Sequence, residues 1–234
     1  MSFTISLSSK ASEISRQFYP PIDLSNGKYE LALIGISFWH SIPNITLENN
    51  SLKVGTSLIQ LRKGCYDIRD VENAVNKQLN TLLGKQGAER EVLIKPDLTI
   101  MSANKYSKTM PISFDVPNSI APVLGYNIKH VVAPGSWEES DSTVQISDIT
   151  AIRVLCNVIG NSFENDRIST IIHEIYDLCD PGYRFDAVLS NPIYYPVNVR
   201  EINDLTCKLV NENNKLVDLN GEQLSIRLHL RPVS

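Results

Sequence analysis

The chain has 234 residues, of which 42% are hydrophobic and 21% charged, and its formal net charge is −4. That length holds one large domain or two small ones. The mild acidity argues against broad binding to nucleic acid or to an anionic membrane, since either needs a basic surface.

Short strands separated by turn residues dominate the pattern. In FTISL (3–7), Phe3, Ile5 and Leu7 alternate with Thr4 and Ser6. QFYPPIDLS (17–25) cannot be a central strand, because Pro20-Pro21 removes two backbone donors and fixes φ. It reads as an edge or an extended connection, and residues 1–25 read as an N-terminal arm. The strand at 29–39 follows the turn pair Asn26-Gly27 and is apolar on both parities. Its odd face carries Leu31 and Leu33, and its even face carries Ala32, Ile34, Ile36 and Phe38. Such a strand must be sealed on both sides, by its own sheet and by a helix or a neighbouring subunit.

Residues 51–64 read as a hairpin turning at Gly55. The segment 66–85 changes period. Ile68, Val71, Val75, Leu79 and Leu82 recur at steps of three and four, Asp67 can cap, and Gly84 can stop. This predicts an amphipathic helix inserted at 67–84. EVLIKPDLTIMSA (91–103) is expected to turn at Pro96-Asp97, and TMPISFDVP (109–117) to form a strand. A short helical turn is expected at SIAPVLGY (119–126), and the polar stretches 103–109 and 134–143 read as surface loops. Apolar runs at 142–160, 169–178 and 192–200 add strands. The last stretch holds a hairpin around NENN, a second turn at Asn220-Gly221, and a final strand. There Leu224, Ile226, Leu228 and Leu230 alternate with Ser225, Arg227, His229 and Arg231. No repeat, low-complexity tract or compositional boundary appears. The expectation is an all-β fold with one inserted helix, an antiparallel β-sandwich over 1–234 as a single domain.

The search for chemistry finds little. HEIYD (173–177) has one histidine where a zinc helix needs two a turn apart. Cys65 follows Arg62-Lys63-Gly64, and a positive neighbour lowers a thiol pKa, but no nucleophile signature surrounds it. No serine elbow, phosphate loop or dinucleotide fingerprint is present. The four cysteines, Cys65, Cys156, Cys179 and Cys207, lack metal spacing and read as small buried thiols in a reducing compartment. No signal peptide and no membrane-spanning run of ~18 apolar residues is evident. His40, after Trp39, reads as structural. Trp137 in PGSWEESD is either a partner anchor or a pin for its own loop. One of Tyr194 and Tyr195 faces the core and the other outward, because adjacent strand residues point to opposite sides.

The blocks FYPPIDLSNGKYELALIGISFWHSIPNI, RKGCYDIRDVENAVNKQL, SIAPVLGYNIKHVVAPGSWEESD and GEQLSIRLHLRP span nearly the whole chain. In this order they resemble the minor capsid, or penton, proteins of Maverick/Polinton elements and their adintovirus relatives. The resemblance implies a single jelly roll with loop elaborations. It also implies a structural, non-enzymatic virion protein without cofactors, forming homopentamers at the five-fold vertices of a capsid. Its partners would be itself and a double jelly-roll major capsid protein, with no direct nucleic-acid contact and no membrane insertion. An RGD motif is absent, so receptor binding by that route is not implied. On this reading Ile34, Trp39, Trp137, Tyr194 and Tyr195 are candidate contacts with subunits or partners. The alternative is a host- or glycan-binding β-sandwich module.

Overall fold

The computed structural model describes residues 2–85, 90–97, 102–145, 149–160, 162–164, 167–176, 178–179 and 182–233. In chain order it forms β1 (Phe3–Ser9), β2 (Glu13–Asp23) and β3 (Tyr29–Trp39). Next come β4 (Ser51–Val54), β5 (Ser57–Gln60), α1 (Ile68–Leu82), β6 (Val92–Asp97), β7 (Ser102–Ser107) and β8 (Ile112–Ser113). After a 3-10 turn at Pro122–Leu124 come β9 (Val131–Val132) and β10 (Trp137–Glu139). The remainder forms β11 (Ile152–Cys156), β12 (Ser162–Glu164), β13 (Arg167–Ser169), β14 (Ile171–Ile175), β15 (Arg184–Val188), β16 (Tyr195–Pro196), β17 (Glu201–Asn211) and β18 (Leu224–Pro232). No helix among the described residues is long and apolar enough to cross a membrane.

The contacts divide the chain into two compact units, Met1–Ile42 with Ile149–Ser234, and Pro43–Asp148. Their hydrophobic clusters share no residue. The sequence expectation of one domain with one inserted helix therefore gives way to a first unit interrupted by a second with its own core. Both units share ordinary apolar composition, so nothing in residue usage marks the joins at Ile42 and Ile149.

The first unit is a sandwich of two antiparallel sheets, ordered β1-β18-β3-β15 and β14-β11-β17-β2, with β16 pairing to β3. If its eight long strands are numbered along the chain, the sheets read 1-8-3-6 and 5-4-7-2, the strand order of a jelly roll. Ile5, Leu31, Phe38, Ile226 and Leu228 from one sheet share a core with Ile14, Ile152, Val154, Leu205 and Leu209 from the other. Each such side chain contributes roughly 1.5–3 kcal/mol by leaving water. The second unit enters the chain between the third and fourth of these strands.

Residues 1–25 do not form an arm: they supply the whole of β1 and β2 to the two sheets. The double proline is handled as its chemistry requires. β2 is an edge strand, and its register on β17 jumps from Ile22↔Ile202 to Gln17↔Asp204, so Pro20 and Pro21 fall outside the ladder. The hairpin at Gly55 is present as β4 paired with β5, and around NENN the chain turns back with Val217 N–H on Leu209 O at 3.0 Å. Asn220 and Gly221 both have positive φ, 52° and 80°, and Glu222 N–H closes the turn on Leu219 O at 2.9 Å.

β3 resolves the question of its two apolar faces. Against β18 its register shifts between Gly35↔Arg227 and Leu33↔Leu228, leaving Ile34 as an extra residue. A bulge of this kind reverses the parity of everything beyond it. Leu31 and Leu33 before it, and Ile36 and Phe38 after it, all join the core, whereas Ala32 and Ile34 do not. The seal expected from a helix or a neighbour is thus largely unnecessary. Leu31, Leu33, Ile36 and Phe38 point the same way, and buried Ala32 and half-buried Ile34 stay outside that cluster.

The second unit contains the sheets β10-β7-β6 and β5-β4-β8-β9 with α1 packed on β5 and β6. The helix starts as predicted. Asp67 accepts from Asp70 N–H at 2.6 Å and Asp70 accepts from Asp67 N–H at 3.3 Å, a reciprocal cap. Val71, Val75 and Leu79 are fully buried, but Leu82 is exposed. The same face also buries Glu72 and Asn76. Asn76 Oδ1 accepts the N–H groups of Glu91 and Val92 at 2.9 and 3.0 Å, and Glu72 Oε2 accepts Ile94 N–H at 2.8 Å. One helical turn apart, these two side chains satisfy backbone donors beside and within β6.

In this unit two local expectations change and one holds. β6 runs through Pro96 and Asp97, paired with Ala103 and Ser102, instead of turning there. The polar stretches 103–109 and 134–143 are not plain loops, because they hold β7 and β10, which pair Trp137 with Tyr106. Long-range pairing overrides their polar composition. The 3-10 turn at Pro122–Leu124 matches the predicted helical turn and ends on Gly125 at φ 74°, where a Cβ would overlap Ser142 O.

Candidate subunit-contact surface

In the first unit, alternation along β18 turns Leu224, Ile226, Leu228 and Leu230 into the core and Arg227, His229 and Arg231 to the opposite face. The residues of β3 beneath that row are small. His229 lies opposite Ala32 and Arg227 opposite Gly35, so no large neighbour displaces the long side chains. Arg231 Nε donates to Glu30 Oε1 at 2.6 Å, and Arg184 Nε donates to Ser37 Oγ at 2.9 Å. Tyr194 belongs to the same layer. Its hydroxyl lies 2.8 Å from His229 Nδ1, and the Arg231 guanidinium sits 3.5 Å above its ring. Tyr195 pairs with Leu31 and packs on the core. The structure therefore assigns the inward role to Tyr195 and the outward one to Tyr194. Trp39, at the end of β3, is 44% exposed. Exposed Tyr183 and Val188 lie immediately before and at the end of neighbouring β15. This face combines three arginines with only Glu30 and Asp186 as acids on β3 and β15, in a chain of net charge −4. Ile34, at the bulge, is half-buried on this side of β3.

In the second unit, Trp137 is 43% exposed. Its ring lies 5.3 Å from Tyr106 and has Lys95 Nζ 4.7 Å from its centroid, so it is both partly pinned and partly open. Nearby, His130 Nε2 is 3.0 Å from Glu138 Oε2 and its Nδ1 is 3.3 Å from Asp141 Oδ2. Beneath them Tyr126 stacks on Phe114 at 5.1 Å, and its hydroxyl lies 2.6 Å from Ala103 O. Burial pushes the Tyr126 phenol up. Lys105 is fully buried with Nζ 4.1 Å from the Phe114 centroid and 4.5 Å from that of Tyr126, and with no hydrogen-bond partner among the described residues. Nothing in the polar stretch around it signalled such a position.

His40 Nδ1 lies 2.5 Å from Cys179 O, and its backbone bonds Tyr183 and Gly182, so it fastens the approach to β15. His173 sits on a strand, β14, where burial holds its imidazole below the ordinary range. Burial, then Asp70, pushes the Cys65 thiol up, away from the thiolate a nucleophile needs. A surface pocket of about 410 Å³ is lined by Leu24, Lys28, Tyr29, Val197 and Arg200, and none of its lining residues is a carboxylate, histidine or cysteine. No cluster of three or more metal-ligating side chains occurs among the described residues. Among the described residues, the first unit presents a sheet face that carries apolar and basic groups.

No known family's sequence profile matches the chain, and no curated protein matches it in sequence. Solved structures do match. The penton protein of mavirus superposes with a TM-score of 0.51 at 13% identity, covering 100% of both chains. A chain of the Sputnik virophage, determined by cryo-EM, gives a TM-score of 0.46 at 13% identity, covering 98% of this chain and 97% of that one. The fold of this chain is similar to that of the mavirus penton protein, and in this chain it is a jelly roll interrupted by a helix-bearing second unit.

Proposed function

We propose that this chain is a structural subunit of an icosahedral capsid, the penton of a shell whose bulk is a double jelly-roll major capsid protein. It assembles as a homopentamer at the five-fold vertices, in the manner of the proteins of Maverick/Polinton elements and adintoviruses that its sequence resembles. The observation that carries this reading is the 1-8-3-6 and 5-4-7-2 strand order, together with the full-length likeness to the mavirus penton. The surface also supports it. A five-fold ring uses heterologous contacts, one patch meeting a different one. The face of Trp39, Tyr194, Arg227 and Arg231 is a rigid patch whose basic excess suits an acidic counterpart. Ile34 and Trp137 are further contacts in this proposal. A shell subunit of this kind holds no cofactor and performs no catalysis.

Light scattering and electron microscopy of the purified chain test it. The expected result is a mass of five times 26.2 kDa and ring-shaped particles. Ile34→Glu and Trp39→Ala should lower the assembled fraction while leaving the melting temperature of the subunit within about 2 °C. A species that stays monomeric at high micromolar concentration across salt conditions overturns the proposal.

A further inference from the structure

β11 and β17 place Cys156 directly opposite Cys207. Both side chains are fully buried in the sandwich core. The backbone shows which kind of pair this is. Cys156 N–H donates to Thr170 O at 2.9 Å, on the β14 side, while the next residue, Asn157, donates to Thr206 O at 3.1 Å, on the β17 side. Cys156 therefore turns its own backbone groups away from β17, and the two cysteines form a non-hydrogen-bonded pair. In such a pair the Cα atoms stand about 4.5 Å apart with side chains drawn together. A disulfide spans Cα separations of about 4.4–6.8 Å. The thiols already hydrogen-bond to each other, and that bond, with burial, holds Cys207 well above the ordinary thiol range. In that bond Cys207 donates its proton to the Cys156 sulfur.

We propose that Cys156 and Cys207 form a redox modification site, a dithiol that hydrogen peroxide converts to a cross-strand disulfide and that small thiols convert back. Cys156 attacks a peroxide oxygen, forming a sulfenic acid as the O–O bond breaks and water leaves. The Cys207 sulfur then displaces the hydroxyl from that sulfenic acid. The S–S bond forms, and the hydroxyl departs with the Cys207 proton as a second water. Each sulfur has given up one electron and the peroxide has taken two. Reduction runs by thiol–disulfide exchange through a mixed disulfide. A jelly roll made under reducing conditions would gain a covalent tie between two central strands of one sheet on meeting an oxidising medium.

The test uses the full chain carrying Cys65→Ser and Cys179→Ser, so that Cys156 and Cys207 are its only thiols. It is treated with hydrogen peroxide, denatured, alkylated with iodoacetamide and weighed. The expected result is a mass lower by two hydrogens with neither cysteine alkylated, and a peptide pair joining the two in a non-reduced digest. The melting temperature should rise by roughly 5 °C and return with dithiothreitol. In the same background Cys207→Ser should show no rise, with Cys156 alkylated or over-oxidised. Two alkylated cysteines after peroxide, sulfinic acid in place of the disulfide, or disulfide-linked dimers would each overturn the proposal. The readout is one chain's mass, so its outcome is separate from that of the assembly proposal.

Discussion

Lys105 is fully buried although its neighbours in the sequence are polar. Its ammonium position is enclosed between Phe114 and Tyr126 without a hydrogen-bond partner among the described residues, and burial holds its pKa well below the ordinary lysine value. The unfolded chain therefore binds a proton that the folded chain does not, over the window from the depressed pKa up to about 10.4. Stability rises with pH across that window, and the penalty returns as pH falls. Lys105→Met, which keeps the stem and removes the amine, should stabilise the protein by about 1–3 kcal/mol at pH 7. Thermal denaturation of both proteins at pH 7 and pH 10 checks this, and the gap should narrow at pH 10. The contact residues divide at this scale too. Alternation within PIYYPV established that one tyrosine would face inward, but it took the pairing of Tyr195 with Leu31 to say which.

Among the elements, α1 and β3 behaved oppositely. The helix was legible because its period, cap and stop are local, and all three recur in the structure at Val71, Val75, Leu79, Asp67 and Gly84. Its burial of Glu72 and Asn76 was not, because their partners lie on and beside β6, far along the chain. β3 was legible as a strand but misleading as a surface. Its bulge at Ile34 depends on the register of β18, which no residue of β3 specifies alone. The bulge predicts an uneven mutational profile. Leu33→Ala and Ile36→Ala, of opposite parity, should each cost about 2–5 kcal/mol, whereas Ile34→Ala between them should cost under about 1 kcal/mol. Urea denaturation of the three variants decides it. A strand without the bulge would make either Leu33 or Ile36 tolerant.

At the scale of the whole molecule, each of the two units has a hydrophobic cluster built from its own residues among those described. Replacing Pro43–Asp148 by a short Gly/Ser linker should leave a jelly roll with a β-rich circular dichroism spectrum and one cooperative melt, since the loop-closure cost grows only slowly with length. A chain that aggregates or melts without cooperativity would contradict this expectation. The sequence by itself determined the local grammar: the strands and their alternation, the turns at Gly55 and Asn220-Gly221, the capped helix, and the edge placement of Pro20-Pro21. It also yielded the all-β class and the viral resemblance, because these depend on period and on the order of blocks. Only the tertiary structure decided the division into two units, the parity switch in β3, the burial of Lys105 and the meeting of Cys156 with Cys207. Each of these depends on which distant strands pair and in what register, and register is a property of two segments together, so neither segment states it alone.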